Sequence, residues 1–166
     1  MHASNVVSAW VIAAQDRLQA TMDEAGLDAR SLAALTLVHQ HDGRSVEWLR
    51  RRVELTQSGT VRLVDRLVAR GWLRRGPTSG RAVPLHVTSR GAARLARWAR
   101  ARDRSVAELL GTLPKRQQHV LIDAMAASLQ AMPRARVQAD ATCRTCSWPD
   151  CGKDCPVDRS VSEAQT

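Results

Sequence analysis

One stretch of the chain, residues 54–91, restricts the possible fold more than any other. It reads ELTQSGTVRLVDRLVARGWLRRGPTSGRAVPLHVTSRG and contains two helix N-cap signals, at Thr56 and Thr88. The first helix is predicted from about residue 57 to residue 70 and stops at Gly71, because glycine is favoured just past a helix C-terminus. The segment therefore predicts a helix, a short connection and a second helix.

The connection between these helices has the composition of a β-hairpin. Residues 72–74 read as a short strand, residues 76–80 contain a Gly-Pro turn, and residues 82–87 read as the returning strand. Pro84 has no N–H to donate to a sheet ladder, so it is predicted to lie on an unpaired edge.

Amphipathic helices are predicted on both sides of this unit. Apolar residues recur at spacings of three and four, Ser45 can cap one helix, and Thr88-Ser89 and Leu113-Pro114 begin two others. Pro133 is predicted to close the folded part, so that residues 134–166 form a polar, irregular tail apart from its cysteines. The helices are predicted over residues 5–24, 31–41, 45–52, 89–110 and 114–132.

The positive charge is concentrated in the middle of the chain. Residues 44–104 contain 16 arginines against four acids, an excess of +12 within a total of +9, so the remaining residues sum to −3. A localised basic excess favours a surface that binds a polyanion. The alternative is a solvated basic face, and the run Arg50-Arg51-Arg52 is itself read mostly in that way.

The order of residues in this basic segment resembles the winged-helix core of MarR-type transcriptional regulators. The resemblance covers about residues 5–132 and is carried by LTQSGTVRLVDRLVARGWLRR followed by GRAVPLHVT. Two features depart from the family pattern. Ser79 stands where the family usually has Asp two residues before Arg81, and the stretch from Arg74 to Arg81 is about two residues short. The matching positions are Gln57, Ser58, Gly59, Arg62 to Leu67, Gly71, Arg74, Arg75, Arg81 and Thr88.

The resemblance implies a mainly α fold with a small β-wing, in which dimerisation helices flank a winged helix-turn-helix core. It also implies a homodimer whose half-site centres on a palindromic operator are roughly 34–36 Å apart. The predicted divisions are an N-terminal dimerisation helix (5–30), the DNA-binding domain (31–88), C-terminal dimerisation helices (89–132) and a four-cysteine tail (133–166).

The residues predicted to contact DNA lie on the helix predicted over residues 57–70 and on the wing. Short polar groups at a helix N-terminus suit phosphate and base-edge contacts, and arginines on the same helix can contact phosphates or bases. Arg62 can instead pair with Asp65, and Arg81, placed for the minor groove, can instead contact only phosphate. The predicted set is Gln57, Ser58, Thr60, Arg62, Arg66, Arg74, Arg75 and Arg81.

The terminal helices are apolar although they lie outside a compact winged-helix core, which predicts that a second copy covers them. The alternative is that they fold back on their own subunit. The interface is predicted to use Val7, Trp10, Val11, Leu18, Leu121, Ile122, Met125 and Leu129.

The tail contains Cys143, Cys146, Cys151 and Cys155 within 13 residues. Four thiolates so close together can surround one tetrahedral ion, which predicts zinc. The spacing that ends in Cys-Pro is also similar to an iron–sulfur loop, and metal-free thiols can act as a redox switch. Clustered cysteines with no secretion signal or spanning segment indicate a cytoplasmic protein.

The resemblance also implies a small aromatic effector, for which Trp10, His39 and Trp48 are the candidate cleft residues. The spacing of His39 and His41 does not suit two metal ligands on one helix face. No nucleophile elbow, P-loop or paired carboxylate setting is present in the sequence, so an enzyme is not predicted. The sequence thus predicts a dimeric repressor, released by a ligand or by chemistry at the cysteines. A non-specific architectural DNA binder or an interaction adaptor is the alternative.

Overall fold

The computed structural model describes residues 2–78, 83–147 and 151–162. Within these ranges the chain is mainly helical, with one two-stranded antiparallel sheet. Two short 3-10 turns, Gly152–Asp154 and Asp158–Ser160, follow the last helix. The elements are α1 (His2–Ala25), α2 (Ala29–Gln40), α3 (Val46–Val53), α4 (Gln57–Ala69), β1 (Leu73–Arg75), β2 (Leu85–Val87), α5 (Ser89–Gly111), α6 (Lys115–Gln130) and α7 (Arg136–Thr142).

The three predicted helix caps are confirmed. Ser45 accepts a hydrogen bond from the backbone N–H of Trp48 at 3.2 Å. Thr56 and Thr88 accept from the backbone N–H groups three residues further on, each at 3.1 Å. Such bonds satisfy N–H groups that have no partner inside the helix, so the caps fix where α3, α4 and α5 begin. Asp28 caps α2 in the same way, which the sequence analysis did not predict.

The main hydrophobic core lies between α2, α3, α4, the sheet and the start of α5. Helix α2 is buried along most of its length and passes through the centre of this unit. One apolar face each from α3 and α4 packs against it, as their periodicity predicts. Its largest fully buried side chains include Leu32, Leu35, Leu37, Leu49, Leu63, Leu67, Leu73 and Leu85.

The hairpin forms with Leu73 opposite Val87 and Arg75 opposite Leu85. The returning strand, predicted over residues 82–87, is Leu85–Val87 in the structure and follows Pro84, which forms only an isolated bridge. Pro84 is not on an unpaired edge as predicted. Its carbonyl accepts from the N–H of Gly76 at 2.9 Å, and on its other side it forms an isolated bridge with Ser45.

The terminal helices lie outside the main core. Helix α1 packs along α5 but buries only Thr21 and Ala25, and α6 has no buried residue of its own. Both helices therefore expose apolar side chains, among them Val7, Trp10, Val11, Leu18 and Ile122. None of the described helices is both long enough and apolar enough to cross a lipid bilayer.

The prediction that Pro133 closes the folded part is wrong. Arg134, the next residue, forms a bridge with Val161, and helix α7 begins two residues later. A second, small apolar cluster forms around Ala139, Cys143, Cys155 and Val157. A seven-residue helix is too short to show periodicity in the sequence, and its burial depends on partners distant along the chain.

Candidate nucleic-acid interface

The N-terminal half of α4 presents the predicted polar residues to solvent, with one exception. Gln57, Ser58 and Arg62 are exposed. Thr60 is fully buried, and its hydroxyl donates to the Thr56 carbonyl at 3.0 Å, so it is not available for contact with DNA. The prediction for Thr60 is corrected: the helix turn that exposes Ser58 points Thr60 inward.

Three of the predicted arginines carry free charge at this surface. Arg62, Arg66 and Arg74 are exposed, and none of them forms a salt bridge within the part of the chain that the structure describes, although the charge of Arg66 helps to lower the pKa of Asp28. The alternative pairing of Arg62 with Asp65 does not form. Asp65 instead accepts from Arg75 of β1 at 2.7 Å, which ties α4 to the wing. Arg75 is therefore partly neutralised, while the other three are available to a polyanion.

The arginine run on α3 divides into two groups. Arg50 and Arg51 both bond the exposed Glu47, and these hydrogen bonds lower the pKa of that carboxyl to about 2. Arg52 does not form part of a solvated face. Its side chain is 9% exposed and pairs with Asp140 of α7 at 2.6 Å. This pairing could not be predicted from local patterns, because the two residues are far apart in the chain.

The tip of the wing lies outside the described residues. Arg81, predicted to enter the minor groove, is one of residues 79–82. So is Ser79, which stands where the family usually has Asp. Both remain predictions. The base of the wing is described, and there the guanidinium groups of Arg70 and Arg94 lie 5.0 and 5.4 Å from the centre of the Trp72 ring. Such cation–π contacts join α4, the wing and α5, and single-residue patterns do not predict them.

The cysteines of the tail come together in part. Cys143 and Cys155 are buried in the small apolar cluster, and Cys146 packs against it. Hydrogen bonding with Cys143 lowers the pKa of Cys146 to about 7, against the effect of burial and with help from Arg102. The same bond and burial raise the pKa of Cys143. Within residues 2–78, 83–147 and 151–162, no group of three or more His, Cys, Asp or Glu residues has the arrangement of a metal site. The four-cysteine ligand set remains a prediction.

The candidate effector residues do not share one cleft. His39 lines a cavity of about 180 Å³ between α2, α5 and the tail. Trp10 lines another, of about 240 Å³, between α1, α5 and α6. Trp48 contacts the ring of His41, whose pKa is lowered by burial, at a centroid distance of 4.9 Å. The first cavity has apolar walls from α5, and two of its lining residues, Thr36 and Trp98, each have a buried polar atom without a hydrogen-bond partner in the structure.

Three helices, of which the third, α4, is capped and carries exposed polar residues, and a short hairpin together define a winged helix-turn-helix protein. Residues 25–82 match the model of the MarR family. This segment is therefore a MarR-family winged-helix domain, and the resemblance seen in the sequence is confirmed. No curated protein sequence matches the chain.

Solved structures of MarR-type proteins share the fold. YusO from Bacillus subtilis has 20% identity and a TM-score of 0.70, over 78% of this chain and 94% of that chain. RV1404 from Mycobacterium tuberculosis has 22% identity and a TM-score of 0.66, over 76% and 92%. The MarR family protein RV2887 from the same organism, in complex with p-aminosalicylic acid, has 20% identity and a TM-score of 0.58, over 74% and 94%. The chain thus has the fold of a MarR-family transcriptional regulator, with a cysteine-rich tail beyond it.

Proposed function

We propose that this protein is a sequence-specific DNA-binding transcriptional regulator that acts in the cytoplasm as a repressor. The supporting observation is the surface formed by the exposed face of α4 and the base of the wing. There Arg62, Arg66 and Arg74 are exposed and form no salt bridge among the described residues. Arginines on a helix that fits the major groove can contact both phosphates and base edges. The proposed function is binding and not catalysis.

The active form is proposed to be a homodimer on a palindromic operator. Its support is the apolar surface of α1 and α6, where Val7 is 61% exposed and Ile122 46% exposed in the single chain. Trp10 and Leu18 of α1 and Ile122 of α6 line one shared apolar cavity, and exposed apolar surface of this kind is typical of an interaction site. The two α4 helices of such a dimer would enter successive major grooves on one side of the duplex.

The replacement Arg62→Ala is expected to weaken operator binding by roughly 1–3 kcal/mol if Arg62 contacts a base. Binding is measured by fluorescence anisotropy on an operator selected from a random duplex library and on an unrelated duplex. Arg50→Ala is the matched control, because Arg50 lies on the neighbouring helix α3 and is already paired there with Glu47.

Equal losses on both duplexes would reduce Arg62 to a phosphate contact, and the same comparison applies to Arg81. An architectural DNA binder, the alternative function, would show no preference for the selected operator at any salt concentration, and its affinity would fall equally on all sequences as salt rises. That result would contradict the proposed function.

The tail is proposed to hold one chemical site made by Cys143, Cys146, Cys151 and Cys155, with zinc as its ion. The partial support is the approach of Cys143, Cys146 and Cys155 to one another around the second apolar cluster. Four cysteine sulfurs are a common ligand set for structural zinc. An iron–sulfur cluster and a redox-active thiol pair are the alternatives.

Metal analysis of protein purified without air is expected to find about one zinc per chain, as a four-cysteine site binds a single ion. Replacement of all four cysteines by Ser should abolish the metal. A brown protein that absorbs near about 400 nm would identify an iron–sulfur cluster instead. A colourless, metal-free protein that forms a disulfide with peroxide would identify the thiol pair.

A small aromatic effector is proposed for the cavity between α2, α5 and the tail. An apolar cavity of roughly 150 Å³ holds benzene, so the observed volume of about 180 Å³ admits one ring with a substituent. The buried hydroxyl of Thr36 and the indole N–H of Trp98 are polar groups that a ligand could satisfy if their side chains rotated toward it. Release of the operator by p-aminosalicylic acid, the compound bound to RV2887, is the corresponding test.

A further inference from the structure

The contact between the tail and the helix that precedes the DNA-reading helix is built around a buried ion pair. Arg52, near the end of α3, donates through Nε to Asp140 of α7 at 2.6 Å, and the two side chains are 9% and 3% exposed. Buried charges are rare unless they are paired, and removing one partner is strongly destabilising. The pair therefore holds the two helices in one relative position.

Both members of the pair are fixed by further contacts. The guanidinium of Arg52 lies 3.8 Å from the centre of the Trp48 ring, and its Nη1 donates to the Trp48 carbonyl at 3.1 Å. The other carboxylate oxygen of Asp140 accepts from Arg136 at 2.8 Å. With both carboxylate oxygens engaged, and with one face and two nitrogens of the guanidinium engaged, the pair has little freedom to rearrange without separating α7 from α3.

The same part of the tail is attached to two other helices. The side chain of Gln40, at the end of α2, donates to the Cys146 carbonyl at 2.8 Å. Arg102 of α5 donates to the Thr145 carbonyl at 3.3 Å. Residues 136–147, which we call the strap, are thus bonded to α2 and α3 of the winged-helix unit and to α5, the helix that follows the wing. The C-terminal part of the strap contains Cys143 and Cys146, which belong to the cysteine cluster.

The ion pair lies where a small movement would reach α4. Arg52 is followed by Val53, which ends α3, by Glu54 in the left-handed conformation (φ 53°), and by Thr56, which caps α4. Only residues 54–56 connect the end of α3 to the start of α4, so a displacement of one helix end is passed to the next. The position of Asp140 therefore affects the position of the first turn of α4, where Gln57 and Ser58 are exposed.

The cysteine cluster lies directly beyond the ion pair. Cys143 is the C-cap of α7, three residues after Asp140, and it is buried with Ala139, Cys155 and Val157. A new group on these sulfurs, or their rearrangement, cannot be accommodated without movement of the last turn of α7.

We propose that the strap regulates the affinity of the protein for DNA. When the strap is docked on α3 through Arg52 and Asp140, it holds the start of α4 in its DNA-reading position. A chemical change at the cysteine cluster undocks the strap and lowers the affinity. The inference rests on the proposed DNA-binding function and assigns the regulation of that site. The route passes through α3 and does not require movement of the dimer helices.

Asp140→Asn is the test, with Asp154→Asn as its matched control, because Asp154 pairs with Arg159 at an exposed site inside the tail. Operator affinity is measured by anisotropy, and amide hydrogen exchange is measured over residues 53–59. Asp140→Asn is expected to lower affinity about five- to tenfold, in the range of typical allosteric coupling, and to speed exchange at 53–59. The control is expected to change neither quantity.

Two further measurements separate undocking from loss of folding. The double variant Arg52→Met with Asp140→Leu replaces the pair by apolar side chains of similar size, which is often neutral or stabilising, and should keep operator affinity near that of the wild type. Alkylation of the wild type with iodoacetamide should lower operator affinity as much as Asp140→Asn does. Alkylation of the Asp140→Asn protein should cause no further loss, because the modification and the substitution act through the same contact.

If the wild type binds no selected duplex, the proposed function itself fails. If the wild type binds its operator, while the folded Asp140→Asn protein binds it equally well and shows unchanged exchange at residues 53–59, the strap does not regulate α4 and the inference is overturned.

Discussion

Replacing Gly91 by Ala is expected to destabilise the protein by about 3 kcal/mol, at the upper end of the usual cost of overpacking. A Cβ at this position would lie 2.2 Å from the Trp72 carbonyl oxygen and 2.9 Å from Cγ1 of Val87. The Trp72 carbonyl cannot easily withdraw, since it accepts the backbone N–H of Thr88 at 3.0 Å. Helix α5 and the wing would therefore have to separate.

Thermal unfolding followed by circular dichroism measures this effect, and the midpoint should fall by roughly 6–12 °C for a chain of this size. Gly111→Ala is the matched control on the same helix, because nothing lies within 4 Å of its added Cβ. Alanine there should be neutral or stabilising by about 0.5–1 kcal/mol. A Gly91→Ala protein as stable as the control would contradict the close packing of α5 beneath the wing.

Replacing Ile122 by Glu is expected to convert a dimer into an 18.3 kDa monomer and to lower operator affinity by roughly a hundredfold or more, since linked binding at two half-sites typically contributes 10²–10⁴. Ile122 lines the apolar cavity that also contains Trp10 and Leu18. A carboxylate buried at an apolar interface would lose its hydration, which is unfavourable for association. Light scattering and anisotropy measure the two outcomes.

Val61→Glu provides a crossed control. Val61 is an exposed apolar residue on α4, far in the chain from the terminal helices. Its replacement is expected to impair DNA binding and to leave the dimer intact, whereas Ile122→Glu should impair both. A wild type that is monomeric in dilute solution and still binds the operator fully would contradict the dimer proposal.

Three members of the predicted interface, Leu121, Met125 and Leu129, are partly buried within the chain itself. Leu129 packs against the second apolar cluster, so the tail covers part of the end of α6. Met125 is half-buried and lines the cavity with Ile122, while Leu121 lines a separate cavity with Val120. The exposed residues Val7, Trp10, Val11, Leu18 and Ile122 are the part of the predicted set that keeps its apolar surface open to a second copy.

The elements near strong local signals could be predicted because their causes are local. Ser45, Thr56 and Thr88 cap their own helices through bonds to residues three positions away, and Gly71 has the positive φ of 67° that ends α4. The exposure of Gln57, Ser58 and Arg62 follows from the helical period. The burial of Thr60 could also have been found in this way, since it lies one helical turn before Val64 on the buried face.

Local patterns in the sequence therefore specify α1 to α6, the caps at Ser45, Thr56 and Thr88, the hairpin and the basic face, because hydrogen bonds and apolar spacing within a few residues decide them. Tertiary structure alone decided which charges stay free: Asp65 bonds Arg75 and not Arg62, and Arg52 is buried against Asp140. It also decided that the tail folds. Ion pairs and packing between distant residues depend on which surfaces the fold brings together, and no local pattern contains that information.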